Sequence, residues 1–545
     1  MGRRPISFLI SRPLVATMAA GVNSVIIYTA EITPATGAPV FVGTEQYTTL
    51  ITDSRPSIPF NGTLAKAPSF KWSIKTGDGF GGMSTAVGPL HLNNQSGEYD
   101  YLLAAPLDGA LVTVKIGWRG ISYDRFVNVV VGLADGKPEC DGDLLIINFK
   151  DDNKRLEIPA LPNVYGGTGG IDGDANVKGK RKQLAFGPAD NVPCLLIDEV
   201  NLVFQYSDGP SVGVSHAYDR RVQMNVNAVP DYPNYAALIA GTITPGTWAT
   251  CSALSCVRLA AKPDGEVTVN LVGGAVSNGL VAGSPIAGTA LTDTASIIHY
   301  LITVSGANVV VDTASILAVK AAQPAPIAYV IVADDNKTQR EAIDELLDGI
   351  GGFGGFRADR SFNIGIFTLP IGAVVGDFTA VDWYGEVKSV ALPSSYAVPP
   401  KRVFAAWGRN WTIQPDIDAK VDAGTATLVK EPYSIAASND AVTSAAIVAA
   451  YQNSTDSAVI QSFFVNESDA IPECNRVLVL KGGAPRSLFR ADMTPAAFVL
   501  AMGAVERLTD TTLTPRYGLS TPTPLTVVEI DNGFDDGVVS VEGMR

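Results

Sequence analysis

Histidine is nearly missing from this chain: His91, His216 and His299 are the only three in 545 residues. None lies in an H-E-x-x-H pattern or beside a cysteine, so histidine-based catalysis and zinc ligation have almost nothing to work with. His299 falls within an apolar helical stretch and reads as a packed histidine; His91 and His216 read as surface residues beside turns. Cysteine is also sparse. Cys140, Cys194, Cys251, Cys256 and Cys474 make an odd set without a C-x-x-C, and the C-x4-C of Cys251 and Cys256 has no second pair. They read as reduced, mostly buried thiols of a protein made in a reducing cytosol, not as a disulfide frame. No apolar run approaches the ~20 residues that span a bilayer, so no membrane insertion is expected. Near the start, Arg12-Pro13 interrupts the apolar run after Met1-Gly2-Arg3-Arg4, which leaves it too short for a signal-peptide core. Basic charge is short as well: 40 Lys and Arg against 54 Asp and Glu give −14. Such a chain is a poor sequence-independent binder of nucleic acid, although an acidic lining would keep passing DNA from sticking.

What is plentiful is punctuation. The 53 glycines and 34 prolines break the chain into many short elements, and 46% apolar with 17% charged residues places it among globular proteins. The expected class is mainly β, built as several small barrel or sandwich modules with a few short helices. Strand signals are dense in Val25-Ile26-Ile27-Tyr28-Thr29, Leu111 to Ile116, Phe126 to Val131 and Leu144 to Phe149. Four helices are expected. Thr292 to Val304 carries one apolar stripe. Thr338-Gln339-Arg340-Glu341 is a capping box, followed by Ile343, Leu346, Leu347 and Ile350 at helical spacing. Asp440 to Asn453 is Ala-rich, and Glu467 to Leu480 is helical if Pro472 falls in the first turn. A hairpin is expected around Ala358-Asp359-Arg360, and the Val-rich runs Leu525 to Ile530 and Val538 to Val541 read as paired strands. Soft composition shifts divide the chain into 1–155 (N-terminal β), 156–330 (β-rich, with a loop insertion and one helix), 331–400 (helix plus hairpin) and 401–545 (C-terminal, barrel-like).

Candidate chemistry fails on spacing. The Gly166–Gly170 loop is no phosphate cradle: Gly173 to Gly179-Lys180 encloses five residues where a P-loop needs four, and Arg181 stands where Ser or Thr should. Asp172, Asp174 and Asn176 begin like a calcium loop, but Val177 and Gln183 occupy its Gly and Glu positions. No catalytic residue, cofactor or metal ligand is expected. Lys178, Lys180, Arg181 and Lys182 form the one dense basic cluster: a solvated loop, a contact with an acidic neighbour subunit or, more weakly for want of interleaved aromatics, a contact with DNA. Arg516 and Tyr517, between Pro515 and Gly518, sit where a loop can present them.

The order of motifs resembles a known family. Gly88-Pro89-Leu90-His91-Leu92-Asn93-Asn94-Gln95-Ser96-Gly97-Glu98-Tyr99-Asp100, Val164 to Gly170 with Gly179 to Gly187, Pro263 to Val269, Ala342 to Phe353, Trp407 to Thr412 and Pro515 to Leu519 together resemble the tail-tip hub proteins of phages with long non-contractile tails. The Asn94 to Gly97 stretch, at its acidic position, and Gln183 and Asn270 depart from that pattern. The resemblance implies a non-enzymatic virion protein at the tail tip, made in the host cytoplasm. It implies a homotrimeric ring around the tail channel, with barrel-like modules repeated so that three chains meet a sixfold tube. The implied partners are the distal tail protein above, the tape measure protein within and the central fibre or receptor-binding proteins below. DNA would be met only in transit, and the ring would gate the exit of tape measure and DNA. The alternatives are a distal tail protein or other ring component of the same tail, and a tail-tip cell-wall hydrolase.

Overall fold

The computed structural model describes residues 25–545 except 36, 76–78, 105–106, 277–288, 305–308, 415–420, 422–429, 495–496, 498–499, 511–516 and 534–537. The chain is mainly β, 41% strand and 19% helix, in several small sheets.

Two four-stranded antiparallel sheets form the N-terminal part. One has the order Val127–Leu133, Leu111–Trp118, Ile26–Thr33, Val40–Gly43; the other Glu139–Asp141, Leu144–Ile147, Leu90–Asn93, Leu64–Lys66. Period-2 alternation explains the packing. Val112, Val114 and Ile116 point inward with Tyr28, Ala30 and Ile32, while Leu111, Thr113 and Lys115 face out. The other side of the Ile26–Thr33 strand is covered too, because Ile27 packs into an aromatic cluster of Tyr47, Phe60, Tyr123 and Phe126. Isolated bridges join the two sheets at both ends, Val42 to Asn61 and Ala134 to Phe149. The eight strands therefore wrap one core without forming one continuous ladder.

The C-terminal sheet also curls. Its path runs Val374–Thr379, Val505–Thr509, Thr523–Asn532, Val539–Met544, Leu488–Met493, Trp383–Val390. The two edge strands are consecutive in sequence, joined by a turn in which Asp382 N–H donates to the Thr379 carbonyl at 2.8 Å. Three connecting residues span about 10–14 Å at most. The sheet must therefore bend until its edges approach, although no ladder closes the seam among the described residues. The expected barrel-like modules are thus curled open sheets, not closed barrels. The seam stays open because the edge strands pair only inward, one with Val505–Thr509 and the other with Leu488–Met493.

The ten-residue strand Thr523–Asn532 outruns its neighbour. Thr523–Thr526 pairs with 505–508, and Glu529–Asn532 pairs with Phe70–Ser73, which begins the hairpin Phe70–Lys75 / Phe80–Val87. One core accordingly holds Val114, Trp72, Phe353, Val527 and Met544 together. The expected divisions at 155 and 400 are crossed by this sheet.

Between the ends lie a sandwich and a helical layer. Val192, Ala217, Val267 and Val269 of one sheet face Phe204, Trp248, Val257 and Leu259 of another. Helices Thr294–Val304, Thr313–Ala322, Gln339–Asp348 and Glu467–Gly482 pack against the hairpin Gly352–Phe356 / Ser361–Ile366 and against the sheet Ser434–Ala437, Arg402–Trp407, Asp456–Phe464. Pro472 sits in the second turn of its helix, not the first, which removes one interior backbone donor. Among the described residues Asn410 to Ile413 form no strand, and Asn410 bridges Asp190. The strand Val267–Ala275 runs through Gly273 and Gly274, and 277–288 lie outside the described residues. Among the described residues no helix is long and apolar enough to cross a membrane.

Candidate functional site

The glycine-rich loop is pinned from within. Gly167, Gly169, Gly170 and Gly173 all have positive φ, so the chain can coil tightly about the Asp172 carboxylate. That carboxylate accepts from Gly166 N–H at 3.0 Å and Thr168 Oγ1 at 2.7 Å, which holds its pKa below the usual range. Tyr165 anchors the loop: its ring is buried and its hydroxyl donates to Gln205 Oε1 at 2.6 Å.

The basic cluster splits in two. Arg181 Nη1 donates to the Leu161 carbonyl at 2.7 Å, and the Lys182 ammonium lies 5.1 Å from the Tyr165 ring centroid. Both half-buried cations therefore hold their own loop. Lys178 and Lys180 are exposed, and Lys180 makes a loose ion pair with Asp334 at 3.7 Å. Only these two present charge outward. Asp174 is likewise engaged, its carboxylate accepting Glu199 N–H at 2.8 Å. Among the described residues no three Asp, Glu, His or Cys side chains gather as metal ligands.

Arg516 lies outside the described residues. Tyr517 has a left-handed backbone (φ 60°), and its half-exposed ring rests 5.7 Å from Phe489. Its carbonyl accepts from Arg545 Nη2 at 2.9 Å, and the Arg545 guanidinium lies over the same Phe489 ring. Tyr517 and the basic loop are thus in different places, one in the turn before the strand Thr523–Asn532 and the other just before the strand Leu184–Phe186, which pairs with Tyr329–Ile331.

Sequence reasoning missed the ionic lock between the two ends of the chain. Glu529 and Glu542 are directly opposed on neighbouring strands and both are buried. Lys75 Nζ bridges them at 3.2 and 2.7 Å, and Lys71 Nζ meets Glu529 at 3.1 Å and Asp531 at 3.7 Å. Burial pushes the Glu529 carboxyl upward, but hydrogen bonds from Ser73, Lys71 and Lys75 outweigh it and hold the pKa low. Lysine at 71 and 75 and acid at 529 and 531 each recur with the even spacing of one strand face, which is the signal that was there to find. Glu506 is the opposite case. It is buried, its Oε2 has no partner, and burial raises its pKa to about 8.

The histidines are structural or peripheral: His299 is buried in its helix, where burial lowers its pKa, while His91 and His216 are half-buried on strands. All five cysteines are free, with Cys251, Cys256 and Cys474 buried, Cys194 half-buried and Cys140 exposed. The arrangement as a whole offers charged loops, open sheet edges and an internal lock.

No family model matches the chain, and no curated protein does. Among solved structures it is similar to the 43 kDa tail protein of prophage MuSo2 from Shewanella oneidensis, at 9% identity and TM-score 0.37 over 96% of this chain and 98% of that one. It is similar to the tail protein from Neisseria meningitidis MC58, at 6% identity and TM-score 0.38 over 95% and 96%. It is also similar to a chain of the native gene transfer agent virion, at 17% identity and TM-score 0.18 over 48% and 84%. These solved structures are tail and virion proteins.

Proposed function

We propose that the chain is a structural component of a phage tail tip, a baseplate hub that forms a ring around the tail channel. The observation that carries this reading is the pair of curled sheet units in one chain, N-terminal and C-terminal, locked into one body by the 70–87 hairpin. A threefold ring of such chains presents six curled units, which is what a sixfold tube above requires of a closed cyclic contact. The order of sequence motifs supports the same reading. In it the distal tail protein binds above, the tape measure protein within and the fibre or receptor-binding proteins below. Receptor engagement shifts contacts between modules so that tape measure and DNA leave. The chain carries out no catalysis.

Light scattering on the purified full chain tests this. A mass three times 57.1 kDa is expected. A hexamer would favour the distal ring instead, and a monomer with no affinity for other virion proteins would overturn the reading. Localisation of the chain to the head or neck of purified virions would overturn it equally.

A further inference from the structure

A groove of about 400 Å³ runs beside the strand Asp456–Phe464, under the last turn of the helix Glu467–Gly482. Its walls are mixed: Val398, Pro400, Val403, Val459, Ile460 and Val477 give an apolar strip, and Ser395, Thr455 and Ser457 add hydroxyls beside it. One cation enters it, Lys481, whose ammonium lies 5.5 Å from the buried Tyr396 ring. Among the described residues no carboxylate neutralises that ammonium, and burial alone lowers its pKa. The single acid on the rim, Asp456, is already held by Arg402, which donates from Nε and Nη2 at 3.1 and 2.6 Å. The strand itself is a sheet edge. Its inner side pairs with Arg402–Trp407; among the described residues its outer side is met at the far end, where Ala328 N–H donates to the Phe463 carbonyl, Ile327 bridges Phe464 and Gly349 closes on Gln461 and Ser462.

An apolar trough, an open strand edge and an uncompensated, partly desolvated ammonium are three parts of one recognition mode. Added strands take affinity from main-chain hydrogen bonds and specificity from alternate side chains. Residues i and i+2 of an extended segment face the same way. We propose that this groove docks an extended segment of a different polypeptide, not of a second copy of this chain, that carries an aliphatic side chain and, two residues away, an Asp or Glu. The aliphatic group fills the trough, the backbone runs along 456–460, and the carboxylate meets Lys481 Nζ. This inference stands on the groove's own geometry and not on the tail-tip reading.

The experiment is calorimetric titration of the full chain with the acetylated, amidated peptide Ser-Thr-Leu-Thr-Glu-Thr-Ser and with its Gln counterpart. The Glu peptide is expected to bind about tenfold more tightly than the Gln peptide, as a charge-assisted contact should. In Lys481→Met the two peptides should bind alike, at the weaker level, while Lys481→Arg should restore the preference. Lys481→Met removes an ammonium that burial disfavours but that also lies over the Tyr396 ring, so a thermal melt of the variant run beside the titration separates lost binding from lost folding. No binding of the Glu peptide, or equal binding of both peptides to the parent chain, overturns the proposal. So does octanoate binding as tightly as the peptide, which would make the groove a small-carboxylate site. Self-association abolished by Lys481→Met would make the occupant a second copy and would overturn it too.

Discussion

Glu506 shows how much one side chain can hold against the fold. Its carboxyl is buried on the strand Val505–Thr509, and burial lifts its pKa from 4.5 to about 8. A folded-state pKa above the unfolded value means the unfolded chain releases a proton that the fold retains. Stability therefore falls as pH rises from 4.5 toward 8 and is unaffected by this group below that window. Glu506→Gln keeps the shape and cannot ionise. In urea melts it should exceed the parent by a few kcal/mol at pH 8, at roughly 1.4 kcal/mol for each tenfold difference in proton affinity between the folded and unfolded chain, and match it near pH 4.5. An equal difference at both pH values would mean the carboxyl is not carrying the effect. Part of this was legible in the sequence, since alternation places Glu506 on the same face as Leu508, which is buried. What alternation could not show is that Gly543 comes so close that an added Cβ would lie 2.5 Å from Glu506 Oε1 and 2.8 Å from Leu525 Cβ. Gly543→Ala should cost about 1–3 kcal/mol in the same melts, as overpacking does.

At the scale of elements, local chemistry was read where it is self-contained. The capping box is present as expected: Thr338 Oγ1 accepts Glu341 N–H at 3.2 Å, and Glu341 Oε2 accepts Thr338 N–H at 2.7 Å. Thr338→Ala should cost about 1 kcal/mol by thermal melt, with the helix Gln339–Asp348 still packed through Ile343, Leu346 and Leu347. The hairpin about 358–360 was legible for a similar reason, because turn residues sit between two β-branched and aromatic runs. The helix Thr313–Ala322 was not. Its Thr-Ala-Ser-Ile-Leu-Ala-Val stretch has little polar contrast, and only its Asp312 cap, accepting Ala314 N–H at 3.1 Å, marks the start. Pairings between distant elements were also out of reach, and the lock at Lys75 is the clearest case. Lys75→Met should leave Glu529 and Glu542 facing each other with too little positive charge, at a cost of about 2–4 kcal/mol. Lys388→Met, which breaks an exposed pair with Asp492, should cost ~0.5 kcal/mol or less. Similar losses in the two variants would show that the lock adds nothing beyond a surface pair.

Across the whole molecule the governing fact is that sequence order and spatial order differ. Strands near residue 70 and residue 530 are neighbours, 458 residues apart at the Lys71–Glu529 pair, and no local pattern encodes such a contact. Composition shifts along the chain could suggest four beads on a string, because each stretch has its own texture. A core that includes both Val114 and Val527 follows instead from strand length, since Thr523–Asn532 runs past the end of Val505–Thr509 and needs a second partner. The consequence can be tested by breaking the covalent path. Pro162 and Asn163 are exposed, so the chain can be expressed as two pieces, 1–162 and 163–545, without cutting a strand. The first piece carries Phe70–Ser73, Lys71, Lys75 and Thr85; the second carries Glu529–Asn532, Glu542 and the Phe356 carbonyl that Thr85 Oγ1 donates to at 2.9 Å. Four ladder residues, the ionic lock and the shared core should hold the pieces together, so tagged 163–545 should retain untagged 1–162 through size exclusion. Adding Lys75→Met should weaken that retention, because an unneutralised pair of buried acids then sits in the contact. Two pieces that fold and elute separately would mean the ends of the chain are independent modules, and a hub built on their union would lose its basis.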